Sequence, residues 1–432
     1  MKHQEKYQQK LVDADTAVFH IRSGNSIYIG GGAGVPQVLI NALMNRANEL
    51  KDVNLIHVLH FGEAPYADPK YQKSFRHNAL FIGKNMRRAV QSGHADFTPV
   101  FLSEIPNLFR EKYISIDYAF VQLSPPDEHG FCSFGVEVGT TKPAAEMAQT
   151  LIAEINPRMP RTHGDSFINI REVDMIVEVD YPLPLAPQGG SSPVHERIGK
   201  IIAEMIPNGA TLQMGIGSIP DAVLKNLYNH KDLGVHTELF SDGVVDLVEE
   251  GIITGAQKTI HPGKVIAGFL FGSQKLYDFL DDNPIIEIHP TDYVNDPFII
   301  SQNDNMVSIN SAVQVDLTGQ VCADSIGTNF ISGVGGQLDF TRGAARSKGG
   351  IPIIALPSTA KNDAISRIVP MLDPGAGVTT TRNDVHNVVT EHGIAKLFGK
   401  TIRQRAKELI AIADPKFRDE LEERAKDLHY LD

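Results

Sequence analysis

The sequence carries one plan twice. Residues 5–22 space Leu11, Val12, Ala14, Ala17, Val18 and Ile21 as one helical face; Ser23–Gly32 then reads in order as a turn, a strand and a Gly-rich loop. A helix follows with Pro36 in its first turn, where proline is tolerated because the missing N–H has no intrahelical partner. Val53–Leu59 reads as a buried strand. The pattern restarts at residues 195–206, a helix, and Asn208–Leu227 then runs through an x-Gly turn at Gly209, a strand, a Gly-rich loop and a helix entered near Pro220. With Gly24 set on Gly209, Pro36 falls one residue from Pro220. Two more echoes keep the order. Ser124–Ser133 resembles Val315–Ala323, each with one cysteine just after a hairpin-like glycine, and Arg171–Glu178 resembles Arg382–Glu391. Matches that keep their order along both halves identify a tandem duplication of one α/β domain. Strand–helix alternation of this kind predicts mainly parallel sheets covered on both faces.

The division falls in Tyr181–Pro193, a run rich in Pro, Gly and Ser that reads as a linker. It predicts an N-terminal domain over 1–185 and a C-terminal domain over 186–432. Two helical patterns, 401–413 and 416–428, close the chain around Asp414-Pro415, and the last is amphipathic and highly charged, suited to packing or to a dimer contact.

Composition removes several function classes. The net charge is −12, which argues against nucleic acid and anionic membrane as partners. Two cysteines among 432 residues can form neither a disulfide framework nor a Cys-ligated zinc site. The 16 histidines do not cluster at metal spacing. The polar start Met1–Lys6 has no apolar signal-peptide core and no apolar run is long enough to span a bilayer, so a cytoplasmic protein is expected. There is no Gly-x-Ser-x-Gly elbow and no His-Glu-x-x-His.

What remains is a small set of loops at strand ends. Gly215-Ile216-Gly217-Ser218-Ile219-Pro220 follows a strand and opens a helix. It is neither a dinucleotide fingerprint, since Pro220 stands where a third glycine belongs, nor a P-loop. Its backbone N–H groups suit an anion or the polar edge of a cofactor; a plain tight turn suits the same residues. His236-Thr237-Glu238-Leu239-Phe240-Ser241-Asp242-Gly243 places Glu238 at a strand end before a helix, where open α/β sheets bind ligands. The same residues also describe a surface glutamate before a turn. Ser332–Phe340, with Gly333, Gly335 and Gly336, lets backbone approach a ligand closely, and its free N–H groups suit an oxyanion hole. Gln337, Asp339 and Phe340 read as its anchors. Lys361 follows the strand Ile351–Pro357 and could meet phosphate, or stand in solvent. Thr379–Asp384 and the following Glu391 sit on a strand–turn and could be structural hydrogen-bonding residues.

Taken in order, Gly-Ile-Gly-Ser-Ile-Pro, Glu-Leu-Phe-Ser-Asp-Gly, Gly-Val-Gly-Gly-Gln-Leu-Asp-Phe and Thr-Arg-Asn-Asp-Val-His-Asn-Val-Val-Thr-Glu-His-Gly-Ile-Ala resemble the acetyl-CoA hydrolase/transferase family of CoA-transferases across essentially the whole chain. Within that family the sequence is most similar to the branches acting on 4-hydroxybutyrate and butyrate. The resemblance implies two α/β CoA-transferase domains with the site between them. It implies that Glu238 attacks an acyl-CoA and becomes a glutamyl-CoA thioester. It implies that Gln213, Met214, Gly215, Ile216 and Gly217 line the coenzyme A site, that Gly336 lends backbone near the thioester, and that Lys361 reaches the cofactor. Asn310, Gly335 and Glu391 fall close to the active site. The implied substrates are coenzyme A thioesters and short-chain carboxylates such as acetate, with no metal and no nucleotide redox cofactor; the charged C-terminal helices suggest a homodimer or higher homo-oligomer. An acyl-CoA hydrolase with the same intermediate is the alternative, and a non-catalytic binding protein on the same fold a further one. The first copy lacks a Thr-Glu-Leu-Phe-Ser-Asp-Gly, so it reads as the acid-side wall, with candidates around Gly31, His57, His60 and Gly93-His94-Ala95-Asp96.

Overall fold

A computed structural model of the chain describes residues 2–187 and 190–432; Met1 at the polar start, and Gln188 and Gly189 in the expected linker, lie outside the described residues. The chain forms two compact units. The first comprises Met1–Ala186, Ile266–Val294 and Ile331–Gly333, and the second Pro187–Val265, Asn295–Phe330 and Val334–Asp432.

The first unit is built on strands β1 (Ser26–Ile29), β2 (Val53–His57), β3 (Phe75–Ala79), β4 (Asp96–Phe97), β5 (Tyr118–Leu123), β6 (Thr150–Ile155) and β7 (Met175–Glu178), with helix α1 (Gln37–Asn45) after β1. They form one sheet in the order β7-β6-β5-β1-β2-β3-β4, every pair parallel. Parallel pairing requires crossovers that cover both faces, and the strands accordingly read as apolar runs. Ile27, Ile29, Val53, Leu55, Phe120 and Ile152 are buried in one core with Leu39, Ile40 and Leu43 of α1.

The second unit repeats the plan. After helix α2 (Pro193–Met205) come β8 (Thr211–Met214), helix α3 (Ser218–Leu224), β9 (Gly234–His236), helix α4 (Asp242–Glu249), β10 (Met306–Ser311), helix α5 (Gln337–Arg346), β11 (Ile351–Ala355), β12 (Asn387–Thr390) and β13 (Gly393–Lys396). These strands lie in the order β13-β12-β11-β10-β8-β9, parallel except for the β12–β13 hairpin, in a sheet of nine strands that continues beyond β9. The five strands β12-β11-β10-β8-β9 therefore stand in the order of β7-β6-β5-β1-β2. The expected echoes map onto this common frame. Asp127 N bonds Phe131 O and Gly130 N bonds Asp127 O; Asp316 N bonds Gln320 O and Gly319 N bonds Asp316 O. In both turns the aspartate carboxylate accepts from the backbone two and four residues on, and the glycine has a positive φ, +86° and +94°.

The expected helix over 5–22 is two helices, Lys2–Lys10 and Ala14–Val18, because Asp13 accepts from Thr16 N and starts the chain afresh. The strand expected over 53–59 ends at His57. Helices α6 (Ile402–Ile412) and α7 (Arg418–Asp427) close the chain, α6 behind a Thr401–Gln404 capping box; Leu421 and Ala425 of α7 are buried in the second unit's own core. Among the described residues no helix is long and apolar enough to cross a membrane.

Candidate active site

Glu238 lies two residues past the end of β9, before α4, which begins at Asp242. Gly243 lets α4 close on α3: a Cβ there would stand 2.8 Å from Leu224 Cδ1. Thr237 is fully buried, and its hydroxyl accepts from Met214 N and lies 3.0 Å from both Met214 O and Leu239 O. One side chain thus ties the end of β8 to the turn that carries Glu238.

The Glu238 side chain is half-buried. Its carboxyl group accepts from Asn295 Nδ2 at 3.1 Å and from the Gly336 backbone N–H. Burial pushes its pKa up to about 7, against the pull of these two donors. A Cβ on Gly336 would overlap both Glu238 Oε2 and Asn295 Nδ2, so any other residue here would displace these two side-chain ends. The preceding Gly335 takes a φ of +58°, which favours glycine. The loop is held rather than loose: Gln337, first residue of α5, donates to Ser311 O at 2.6 Å and accepts from Thr380 Oγ1, and Phe340 is fully buried.

Gln213 and Asn310 face each other across β8 and β10 as an amide pair. Gln213 Oε1 accepts from Asn310 Nδ2 and from Ile309 N, at 3.2 and 3.1 Å. Met214 is buried, and beyond it the chain opens: Ile216 is exposed, and Cβ atoms on Gly215 or Gly217 would meet nothing within 4 Å. The loop has room for a ligand on its outer side.

Lys361 and Glu391 form a second group. Lys361, Asn362 and Asp363 have φ of 53°, 54° and 63°, three consecutive left-handed residues without a glycine, at the tip of a hairpin pairing Thr359 with Ser366. Such backbone is strained and persists where surrounding bonds impose it. Those bonds come from Glu391, whose carboxylate accepts from Ser358 N and Ser358 Oγ at 2.9 and 2.6 Å, and from Asp363, which accepts from Thr359 Oγ1. Lys361 is exposed and Glu391 buried, so the lysine is the solvent-facing member of this group.

The structure thus brings Glu238, Gly335, Gly336, Gln213, Met214 and Asn310 onto the carboxyl ends of β8, β9 and β10, and couples Glu391 to the Lys361 hairpin. Sequence reasoning missed Asn295 and Thr237. Thr237 sat in the quoted stretch beside Glu238; Asn295 follows Asp292-Tyr293-Val294 with no motif around it. In the first unit, Gly31, His57 and His60 gather near the end of β2, whereas Asp96 pairs with Arg76 on an exposed edge.

The chemistry available is that of a desolvated carboxylate with two hydrogen-bond donors on it. Comparison with known proteins supplies the context. Models of the acetyl-CoA hydrolase/transferase N-terminal and C-terminal domains match residues 1–187 and 272–425. The chain belongs to the acetyl-CoA hydrolase/transferase family. It is 52% identical to the 4-hydroxybutyrate coenzyme A transferase of Clostridium kluyveri over 421 residues, 98% of each chain. It is 40% identical to the butyryl-CoA:acetate CoA-transferase of Anaerostipes caccae, over 98% of this chain and 97% of that one. The crystal structure of a 4-hydroxybutyrate CoA-transferase from Porphyromonas gingivalis matches with a TM-score of 0.86 at 43% identity, covering 98% of this chain and 99% of that one. Membership of the acetyl-CoA hydrolase/transferase family agrees with the mixed α/β architecture and with the expectation drawn from the ordered motifs.

Proposed function

We propose that this protein is a CoA-transferase that moves coenzyme A between a short-chain acyl-CoA, 4-hydroxybutyryl-CoA or butyryl-CoA, and acetate, with Glu238 as nucleophile. The observation that carries the reading is Glu238 at a strand end, desolvated, with Asn295 and Gly336 N–H on its carboxyl group. Glu238 attacks the thioester carbonyl to give a mixed anhydride and CoA thiolate. The thiolate then attacks the glutamyl carbonyl, giving a glutamyl-CoA thioester and releasing the first acid, and a second carboxylate reverses the steps. Splitting the exchange in this way replaces one hard displacement by easier ones. One thioester is exchanged for another, so no external energy source enters. In this reading donors such as the Gly336 N–H meet the oxyanions formed on the way.

In this reading Gln213–Gly217 and Lys361 hold coenzyme A, and Asn310, Gly335 and Glu391 support them. The C-terminal domain, 186–432, carries the nucleophile, and the N-terminal domain, 1–185, reads the acid. The free, buried Cys132 and Cys322 fit a reducing, cytoplasmic setting, and the charged C-terminal helices fit a homo-oligomer.

The test is covalent trapping. Enzyme incubated with acyl-CoA and then borohydride should carry a reduced side chain at Glu238, read by mass spectrometry of that peptide. An unmodified Glu238, or full transferase activity in Glu238→Ala, overturns the proposal. CoA release that does not depend on added acetate would mark hydrolysis instead.

A further inference from the structure

The second unit carries a groove at the amino ends of β11 and β12, whereas Glu238 stands past the carboxyl end of β9. The groove holds about 660 Å³, and all its lining residues belong to this unit. One wall is the end of α2, where Ile201, Glu204 and Met205 share a helical face. The other is the run of alternate residues Ile394, Lys396 and Phe398, along β13 and just past it. Ile351 and Pro352 of β11 complete the apolar lining.

Phe398 projects from this wall. It is 71% exposed, its ring rests on His386 with centroids 4.3 Å apart, and Lys400 N bonds Leu397 O to close the turn that carries it. A ring already held in this way loses little freedom when a partner covers it. Glu204 and Lys396 are both exposed, and neither side chain makes a hydrogen bond or an ion pair among the described residues. Glu204 stands in the last turn of α2, where the helix dipole disfavours an acid unless a cation offsets it. β13 is an edge strand, and its outer side is blunted against strand pairing: Lys396 N bonds the Glu408 carboxylate of α6, and Lys400 pairs with the same group. The last helix, α7, keeps Leu421 and Ala425 in the unit's own core, so its apolar side is already covered.

We propose that this groove is the contact between two copies of the chain, with Phe398 of each copy seated in the groove of the other and Glu204 of one set against Lys396 of the other. The proposal rests on the homo-oligomer reading above and gives it a place. A two-fold contact uses one patch against itself, so the patch must hold its own complement. This patch does: a projecting ring beside a groove with the volume to take one, and an unpaired acid and an unpaired base on its two walls. The symmetry then makes each pairing twice. A small ligand in the groove would leave Phe398 in water, whereas a second copy covers the ring and fills the groove together. Burying the ring supplies the apolar anchor, and the two charge pairs fix the orientation.

The experiment is sedimentation equilibrium of the full chain, from nanomolar to micromolar concentration, for wild type, Phe398→Asp, Glu204→Lys, Lys396→Glu and the double swap Glu204→Lys with Lys396→Glu. Wild type should be a dimer or a higher assembly of even number. Phe398→Asp should raise the dissociation constant of this contact by ~10²-fold or more, as for the loss of a buried aromatic anchor. Each single swap sets like charges together twice and should raise the constant by ~10-fold or more, and the double swap should return it to within about threefold of wild type. A monomeric wild type overturns the homo-oligomer reading and this contact with it. An assembly that Phe398→Asp leaves intact, or a double swap that dissociates as readily as the single ones, leaves the homo-oligomer reading standing and overturns the contact; the groove would then belong to a ligand or to another protein.

Discussion

Glu238 is tuned by its neighbours rather than by its own sequence context. In the proposed role its carboxyl must be ionised to attack, and burial pushes the pKa up to about 7, so kcat/KM for acyl-CoA should rise with pH along a limb centred there. The Asn295 amide stabilises the ionised form. Asn295→Leu removes that donor, leaves burial in place and should move the limb to higher pH, with a loss of ~10²–10³ in rate if the amide also meets the oxyanion. A pH–rate profile that keeps its midpoint in Asn295→Leu counts against the role. Gly336→Ala acts differently. Its methyl would occupy the place of Glu238 Oε2, so the carboxylate must move. The variant should lose borohydride-trappable adduct while its melting temperature changes little, because the substitution falls at a loop–helix junction. Normal adduct formation would remove Gly336 from the site. Glu238 and Gly336 were legible because each sits inside a local pattern, a strand–turn–helix and a glycine run. Asn295 was not, because 57 residues of chain separate it from Glu238 and only folding brings the two together.

At the scale of elements, the duplication was legible in the repeated strand, loop and helix, and the sheet register now says what each copy did with it. Ile27 pairs with Tyr118 and Gln122 with Glu154 in the first unit; Leu212 pairs with Val307 and Ser311 with Ala355 in the second. With Gly24 on Gly209, Glu154 therefore falls on Ala355. Glu154 is fully buried, accepts from Leu39 N at 2.7 Å in the first turn of α1, and is bonded by the Tyr181 hydroxyl. Gln122 and the Gln37 backbone N–H also donate to Tyr181. The first copy thus closes the start of its helix with a carboxyl group of its own and pins the first residue of the linker. The second has an alanine there, and its Gly215–Gly217 loop stays open. A lone glutamate in the strand Thr-Leu-Ile-Ala-Glu-Ile gives no sign of this in sequence, because its meaning depends on which strand lies beside it. For the same reason the later segments Ile266–Val294 and Ile331–Gly333, which join the first unit, show no change in composition where they begin.

Across the whole molecule, two sets of buried groups pull stability in opposite directions with pH. Glu137, Glu154 and Glu238 are each raised to about 7 by burial. As pH rises from about 4.5 to 7 the unfolded chain releases these protons and the folded chain keeps them, so the carboxyls make stability fall with rising pH across that window. His57 is lowered to about 4 by burial, and His60 and His77 well below their usual value. As pH falls below about 6.5 the unfolded chain takes up these protons and the folded chain refuses them, so the histidines make stability fall with falling pH over much of the same window. Each proton tilts the curve by up to ~1.4 kcal/mol per pH unit, and three against three leaves the wild type with a shallow dependence. Removing one member should unmask the other set. Glu154→Gln keeps a neutral side chain under α1 and should make the melting temperature drop more steeply on acidification from pH 7 to 5. His77 stacks on His57 with ring centroids 4.0 Å apart, and its nitrogens have no partner among the described residues. His77→Phe therefore keeps the stack without the titration, and should turn the slope the other way, its melting temperature holding up better at pH 5 relative to pH 7 than that of wild type. Thermal melts at pH 5, 6 and 7 read both differences. Curves for the two variants that run parallel to wild type would mean that these groups titrate alike in the folded and unfolded chain, and that their burial is relieved by water or by local opening.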